Sequence, residues 1–493
     1  MAGVEEVKRD PRAVLVRLLV QLEHGGPEGE TGLAAAVAAG LGRDADGCWW
    51  QVRPMFPPDD DPVAGLDRFF EVEGRVGPSR FPPERVAWDL ARRLAAATGA
   101  HVEPDLPSAA FEPEDPAVPG VATREGFGRG ETPRSDDRAW GLKAVRAPQA
   151  WALEPPPGGA RRGAGILIGH PDSGYTDHPE LAGVYDLTRD RDVMNGDDDA
   201  RDPLTPNHIP IDSRGHGTAT ATTIASREAG EVAGVAPDAR LVPIRAVNSV
   251  VQVFDRDLAK AVDHARRVGC HVISMSVGGT GFLGLRAAIR RAVDGGVIVL
   301  AAAGNNVRFV VAPASYPEVI AVGATNVDDR PWSGSSRGGK VAVCGPGGNV
   351  WTSGWDLDVS PPVAKVNLHS GTSFGVAHAA GAAALWLAFH GRDRLIERVG
   401  RANVQAAFLH CLRRAGHRRP DPWDPKAYGV GIVDVEALLK APLPDRADVA
   451  PRAAVPAGPL VEDPLERLQR VVPELTAAEL EAALGRMLGV APE

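Results

Sequence analysis

The sequence predicts an α/β domain on a mainly parallel central sheet, preceded by a small α+β domain and followed by a short helical segment. Short apolar runs recur at Gly165–Gly169, Leu241–Val247, Val272–Met275 and Val297–Ala302. Helical stretches lie between them: Leu258, Ala261, Val262, Ala265 and Val268 recur at helical spacing within 257–268, and 285–293 is similarly patterned. Stretches rich in Pro with charged residues or Ala bracket the region on both sides. Apolar runs alternating with amphipathic helices describe strands buried on both faces, and therefore a parallel sheet between two helical layers.

Each segment follows from its residues. Residues 1–111 hold two strand-like runs, 49–55 and 69–72, then a helical run near 83–98, giving the small α+β domain. Residues 112–137 form a linker, with Glu112, Pro113, Glu114, Asp115 and Pro116 at its start. The α/β domain spans 138–441. A Pro/Ala-rich linker covers 442–463, with Pro442, Pro444, Pro451, Pro456 and Pro459. Residues 464–493 read as helical: Thr476 to Glu479 is a capping-box pattern, and Leu480, Leu484, Met487 and Leu488 share one face. Such a face docks on its own chain or on a protein partner, the first being the simpler expectation.

Composition narrows the function. The chain has 493 residues, 44% hydrophobic and 24% charged, as soluble globular proteins do. A net charge of −10 without a basic patch speaks against a nucleic-acid partner. The four cysteines (Cys48, Cys270, Cys344, Cys411) form no CxxC pair, so reduced, mostly buried thiols are expected and no metal site. The run 13–22 is broken by Arg17 and lacks the pattern of a signal peptide, and no run reaches the roughly 20 apolar residues of a membrane helix. The expectation is therefore cytoplasmic, with no membrane partner and with unconventional export as the alternative.

Three segments near predicted strand ends carry chemistry. Asp172 lies in His170-Pro171-Asp172-Ser173-Gly174, His216 in Gly215-His216-Gly217-Thr218, and Ser373 in Gly371-Thr372-Ser373-Phe374 before an Ala/Gly-rich stretch. Taken singly, each has an ordinary explanation: a turn cap, a structural histidine and a helix N-cap. Together they supply what acyl transfer needs. A serine hydroxyl becomes a nucleophile when a histidine takes its proton, and a buried carboxylate orients that ring. The oxyanion then needs fixed donors, for which Asn305 and the Ser373 N–H are candidates.

The order Asp, His, Ser and its surroundings resemble the subtilisin-like serine proteases (the subtilase family). Asp172-Ser173-Gly174, Gly215-His216-Gly217-Thr218 and Gly371-Thr372-Ser373 are similar to that family's triad segments. So are Gly234-Val235-Ala236-Pro237, residues 274–279, Ala302-Ala303-Gly304-Asn305, residues 320–324, Tyr428 to Gly431, and the entry segment around Trp140 and Trp151. The resemblance covers roughly 138–441 and implies a subtilisin-like three-layer fold and a serine endopeptidase acting on polypeptides. It implies that Asp172 orients, His216 acts as base then acid, Ser373 forms the acyl-enzyme and Asn305 holds the oxyanion. Ser276, Val277 and Gly278 would pair with an extended substrate backbone, and Ala303 and Gly304 would line the pocket for the residue before the scissile bond.

Phe374 stands where the family usually has Met, Ala377 where it has Pro, and Pro171 where an apolar β-former is common. The segment 307–315 is short compared with many relatives, which leaves the pocket's outer wall open. No cofactor is required. Structural calcium is frequent in the family, yet the acidic run Asp186 to Asp202 fits no defined calcium loop, so a solvated loop is the first expectation. The N-terminal domain resembles a subtilase prodomain in element order, which predicts a latent or regulated form cut between about 112 and 140, with a permanent accessory domain as the alternative. A non-catalytic peptide-binding module on the same scaffold is the competing function. It would be favoured by a missing triad member, and none is missing.

Overall fold

The computed structural model describes residues 14–22, 29–41, 49–58, 66–76, 83–105, 132–205, 213–252, 256–279, 281, 283–449 and Thr476. The C-terminal helical pattern and most of the two linkers lie outside the described residues.

Strands β1 (Val14–Gln21), β2 (Trp49–Pro54), β3 (Phe69–Val76) and β4 (His101–Pro104) form an antiparallel sheet in the order β2-β3-β1-β4. The apolar run tested above as a leader is thus the inner strand β1, and the Arg17 that interrupts it pairs with Glu73 at 2.7 Å. Alternation along the strands sorts their residues. Val16, Leu18, Val20, Phe70 and Val72 pack with Leu33 and Leu94 of the helices Gly29–Gly40 and Pro83–Thr98. Leu19 and Phe69 point the other way and, with Met55, Phe56 and Leu66, join the apolar cluster of helices Arg256–Arg267 and Leu283–Asp294. Glu71, two residues beyond Phe69, faces the same way and pairs with Lys260, while Asp105 meets Arg256 at 3.2 Å.

The α/β domain contains β5 (Leu167–Asp172), β6 (Arg191–Asp192), β7 (Arg240–Arg245), β8 (Val251–Gln252), β9 (Val272–Met275), β10 (Gly278–Gly279), β11 (Ile298–Ala302), β12 (Ile320–Thr325), β13 (Val341–Pro346), β14 (Val350–Asp356), β15 (Val363–His369), β16 (His417–Arg418) and β17 (Ile432–Val433). The main sheet has the order β16-β17-β13-β12-β11-β9-β5-β7-β6, parallel except between β16 and β17. Alternate residues feed opposite layers. Leu241, Ile298 and Leu300 pack with the helix Thr372–His390, whereas Val242 and Val299 pack with the two helices beneath the N-terminal sheet. This is the expected three-layer architecture.

Pro171 is accommodated because the β5 ladder to β9 has already ended at Gly169, while the ladder to β7 continues to Asp172. The helix Thr372–His390 is long and apolar enough to cross a membrane, contrary to the sequence reading, but 94% of its most apolar window is buried inside the protein. It is a core helix. Three of the cysteines, Cys270, Cys344 and Cys411, are buried thiols, and Cys48 lies outside the described residues.

Candidate active site

The strand order locates the site. From β5 the sheet grows to one side through β7 and to the other through β9 and β11, so the connections diverge between β5 and β9. Crevices at such a switch point open at the carboxyl ends of the strands. Asp172 is the last residue of β5, completely buried.

The helix His216–Ala225 starts beside it, with His216 as its first residue and Gly215 at φ 74°. That left-handed turn suits glycine and delivers the imidazole inward. His216 Nδ1 lies 2.7 Å from Asp172 Oδ1, which also accepts the Ser173 N–H at 2.7 Å. Burial alone pushes the Asp172 carboxyl up, but the charge and hydrogen bond of His216, then His170 and the Ser173 N–H, outweigh it and hold the group below the usual range. The Ser173 hydroxyl donates to Asp202 at 2.8 Å and accepts the Gly217 N–H at 3.1 Å, bracing the strand end against the helix.

Ser373 is the second residue of its helix and not an N-cap; Gly371 occupies that position. The helix is seated by close approach: a Cβ on Gly375 would stand 2.4 Å from the Gly323 carbonyl oxygen of β12. The Ser373 hydroxyl reaches the Ser276 carbonyl at 3.5 Å, and the Ser276 hydroxyl donates to the Ser373 carbonyl at 3.2 Å. Phe374 is fully buried with its ring 6.5 Å from that of His216 and 5.7 Å from that of His369. The departure from Met therefore fills the space behind the histidine, and Ala377 is a core residue of an uninterrupted helix.

Asn305 follows β11 and faces the serine. Its Oδ1 accepts both the N–H (2.9 Å) and the hydroxyl (2.8 Å) of Thr372, which assigns the amide and turns Nδ2 the other way. A Cβ built on Gly371 would lie 3.4 Å from Asn305 Nδ2 and 3.7 Å from both Ser373 N and Ser373 Oγ. Two donors and the nucleophile thus surround one small space, as a tetrahedral oxyanion requires.

Of the residues expected to pair with a peptide, Gly278 is already engaged: its N–H donates to the Val250 carbonyl at 2.9 Å, and β10 pairs with β8. Ser276 lies against Ser373 through the two contacts given above, while Val277 is 2% exposed. Ala303 accepts the Val311 N–H at 3.0 Å, and Gly304 has φ 110° with Val311 and Ser336 closing on its Cα. The short segment 307–315 sets Val311 against both Gly278 and Gly304. Thr372 and Val311 were both missed. Thr372 stood in the quoted Gly-Thr-Ser string, whereas nothing in the sequence marks Val311.

The acidic run is occupied internally. Asp192 accepts from Met194, Asn195 and Arg245, Asp186 from Thr188, and Asp190 from the Ala200 N–H. Among the described residues no three His, Cys, Asp or Glu side chains are arranged to hold a metal ion.

Comparison with known proteins identifies the family. A model of the subtilase family (peptidase S8) matches residues 163–431. Thermitase of Thermoactinomyces vulgaris is 33% identical over 281 residues, 56% of this chain and 88% of the relative. Subtilisin E of Bacillus subtilis is 36% identical over 186 residues, 36% of this chain and 47% of the relative. The major intracellular serine protease of Bacillus subtilis is 29% identical over 255 residues, 50% of this chain and 73% of the relative.

Proposed function

Because the chain belongs to the subtilase family of serine proteases, we propose that it cleaves peptide bonds through Asp172, His216 and Ser373. The Ser373 hydroxyl passes its proton to His216 Nε2 as Oγ bonds to the substrate carbonyl carbon. His216 then protonates the departing amine as the C–N bond breaks, leaving an acyl-serine. Water, deprotonated by the same histidine, releases the acid and returns the proton to Ser373. Asp172 stays ionised and holds the imidazole by its Nδ1–H. The Asn305 amide and the Ser373 N–H take up the oxyanion charge, and Ser276 and Val277 hold the extended polypeptide.

The observation that carries this reading is the 2.7 Å contact between the buried Asp172 and the first residue of the His216 helix. A buried carboxylate bound to Nδ1 fixes the tautomer that leaves Nε2 as the base. Covalent labelling with a fluorophosphonate, read by intact mass, tests it. Wild type should take one label, and Ser373→Ala and His216→Ala none. An unlabelled wild type, before and after limited proteolysis, would leave peptide binding without cleavage.

We also infer that the N-terminal unit regulates the enzyme. Its support is the sheet face of Leu19, Phe69 and Glu71 docked on helices Arg256–Arg267 and Leu283–Asp294. The chain around Thr132 is tied to the catalytic body, since Asn349 Nδ2 donates to the Thr132 carbonyl at 2.7 Å and Trp351 Nε1 to that of Ser135 at 2.8 Å. A maturation cut is therefore expected before Thr132, and the mass of any shortened chain locates it.

A further inference from the structure

His170 stands two residues before Asp172 on β5 and so on the same side of the strand. It is 1% exposed. A polar ring buried this deeply is destabilising unless its nitrogens find partners. Nε2 lies 3.1 Å from Thr220 Oγ1 and 3.8 Å from Asp172 Oδ2. The second separation is too long for a hydrogen bond and is a charge–dipole contact.

The rest of the network decides the tautomer. Thr220 Oγ1 is also 3.1 Å from the His216 carbonyl and 3.3 Å from that of Gly217, and both can only accept. With the Thr220 proton on a carbonyl, its oxygen accepts from His170 Nε2–H. The same tautomer turns a positive N–H toward Asp172 Oδ2, whereas the other would turn a lone pair toward the carboxylate. Burial, with His216 adding to it, holds the His170 ring below the ordinary histidine range against the pull of Asp172, and the ring is neutral at neutral pH. It therefore does not compete with His216 for the carboxylate as a cation.

The hydrogen bonds to Asp172 from His216 and Ser173 both end on Oδ1, and among the described residues Oδ2 has none. Rotation of the carboxylate is then set by what faces Oδ2. We propose that His170 is a positioning residue, which fixes the Asp172 carboxylate by its Nε2–H and, through Thr220, ties the strand of Asp172 to the first turn of the His216 helix. This rests on the triad reading above.

The test uses the full-length chain with His170→Val, His170→Gln, Thr220→Val and Thr220→Ser. His170→Val and Thr220→Val should each lower kcat by ~10- to 100-fold, as misplacement of a reacting group does, with KM within about twofold. His170→Gln and Thr220→Ser restore an N–H or hydroxyl and should recover most of the loss. The double Val variant should be little worse than either single, because both break one chain of bonds. Histidine ¹⁵N spectra should show His170 neutral with its proton on Nε2, and the downfield His216 Nδ1–H signal should broaden in His170→Val. An Nδ1–H tautomer, or a labelled and active wild type whose kcat and Nδ1–H signal are indifferent to His170→Val and Thr220→Val, would overturn the proposal. Failure of the triad reading looks different: wild type takes no label, while the Nδ1–H signal still reports whether His170 governs the pair. If His170→Val does not fold, Thr220→Val against Thr220→Ser carries the same comparison.

Discussion

Thr372 gives Asn305 Oδ1 two hydrogen bonds, from its backbone at 2.9 Å and from its hydroxyl at 2.8 Å, and so decides which end of the Asn305 amide faces Ser373. Removing the donor by Asn305→Ala should lower kcat by ~100- to 1000-fold with little change in KM. Thr372→Val keeps the backbone bond and should lower kcat by only about 2- to 10-fold, the worth of one net hydrogen bond. Steady-state kinetics on a peptide substrate separate the two. A larger loss in Thr372→Val than in Asn305→Ala would mean that the amide is not the oxyanion donor.

Asp172→Asn keeps the shape of the pair but lets the side chain donate to Nδ1, which favours the tautomer with the proton on Nε2. The expected fall in kcat is on the order of 10⁴-fold, with the fold intact by circular dichroism. A variant within tenfold of wild type would remove Asp172 from the site.

The buried histidines set a stability profile. Burial pushes His271, His369, His378 and His390 down to about 4, with Arg392, His216 and Arg394 adding to the effect on the first, second and fourth. The folded state keeps these rings neutral, while an unfolded chain protonates them near the ordinary value of about 6.5. Their contribution is complete above that value and is lost as pH falls toward 4. The urea midpoint should therefore drop between pH 7.5 and pH 5. His378→Gln, at a site where Nδ1 bonds the Phe374 carbonyl at 2.8 Å, should flatten that dependence. An unchanged pH slope in the variant would count against a neutral His378.

Gly375→Ala puts a Cβ 2.4 Å from the Gly323 carbonyl oxygen, so the nucleophile helix must move off β12. Overpacking of this kind destabilises by about 1–3 kcal/mol. Labelling of Ser373 should slow by more than the loss of folded protein explains, which thermal melts and labelling rates measure together.

Phe69→Asp inserts a charge into the apolar face that holds the N-terminal sheet on the helix Arg256–Arg267. Truncation or reversal at a buried anchor of this sort typically weakens an interface by more than about 2 kcal/mol. Hydrogen exchange in 256–267 should rise, and the latent fraction of the full-length chain should fall. Unchanged exchange would show that the docked face does not depend on Phe69.

Sequence alone determined the main elements and the candidate residues of the site, because both are written locally. Val272–Met275 and the helix Pro83–Thr98 have the bounds that their apolar patterns suggest, since a strand buried on both faces admits only apolar residues and a helix repeats its buried face every 3.6. Asp172, His216 and Ser373 were legible as short strings whose glycines and small residues serve the backbone around them. Tertiary structure decided what distance along the chain hides. Arg17 made 14–21 look interrupted until Glu73, 56 positions away, supplied its partner. Val311 met Gly278 and Gly304 only when its segment folded back on them. His170 read as a neighbour of the aspartate in sequence, but its meaning came from Thr220, 50 positions later, because a hydrogen bond depends on separation in space and not along the chain.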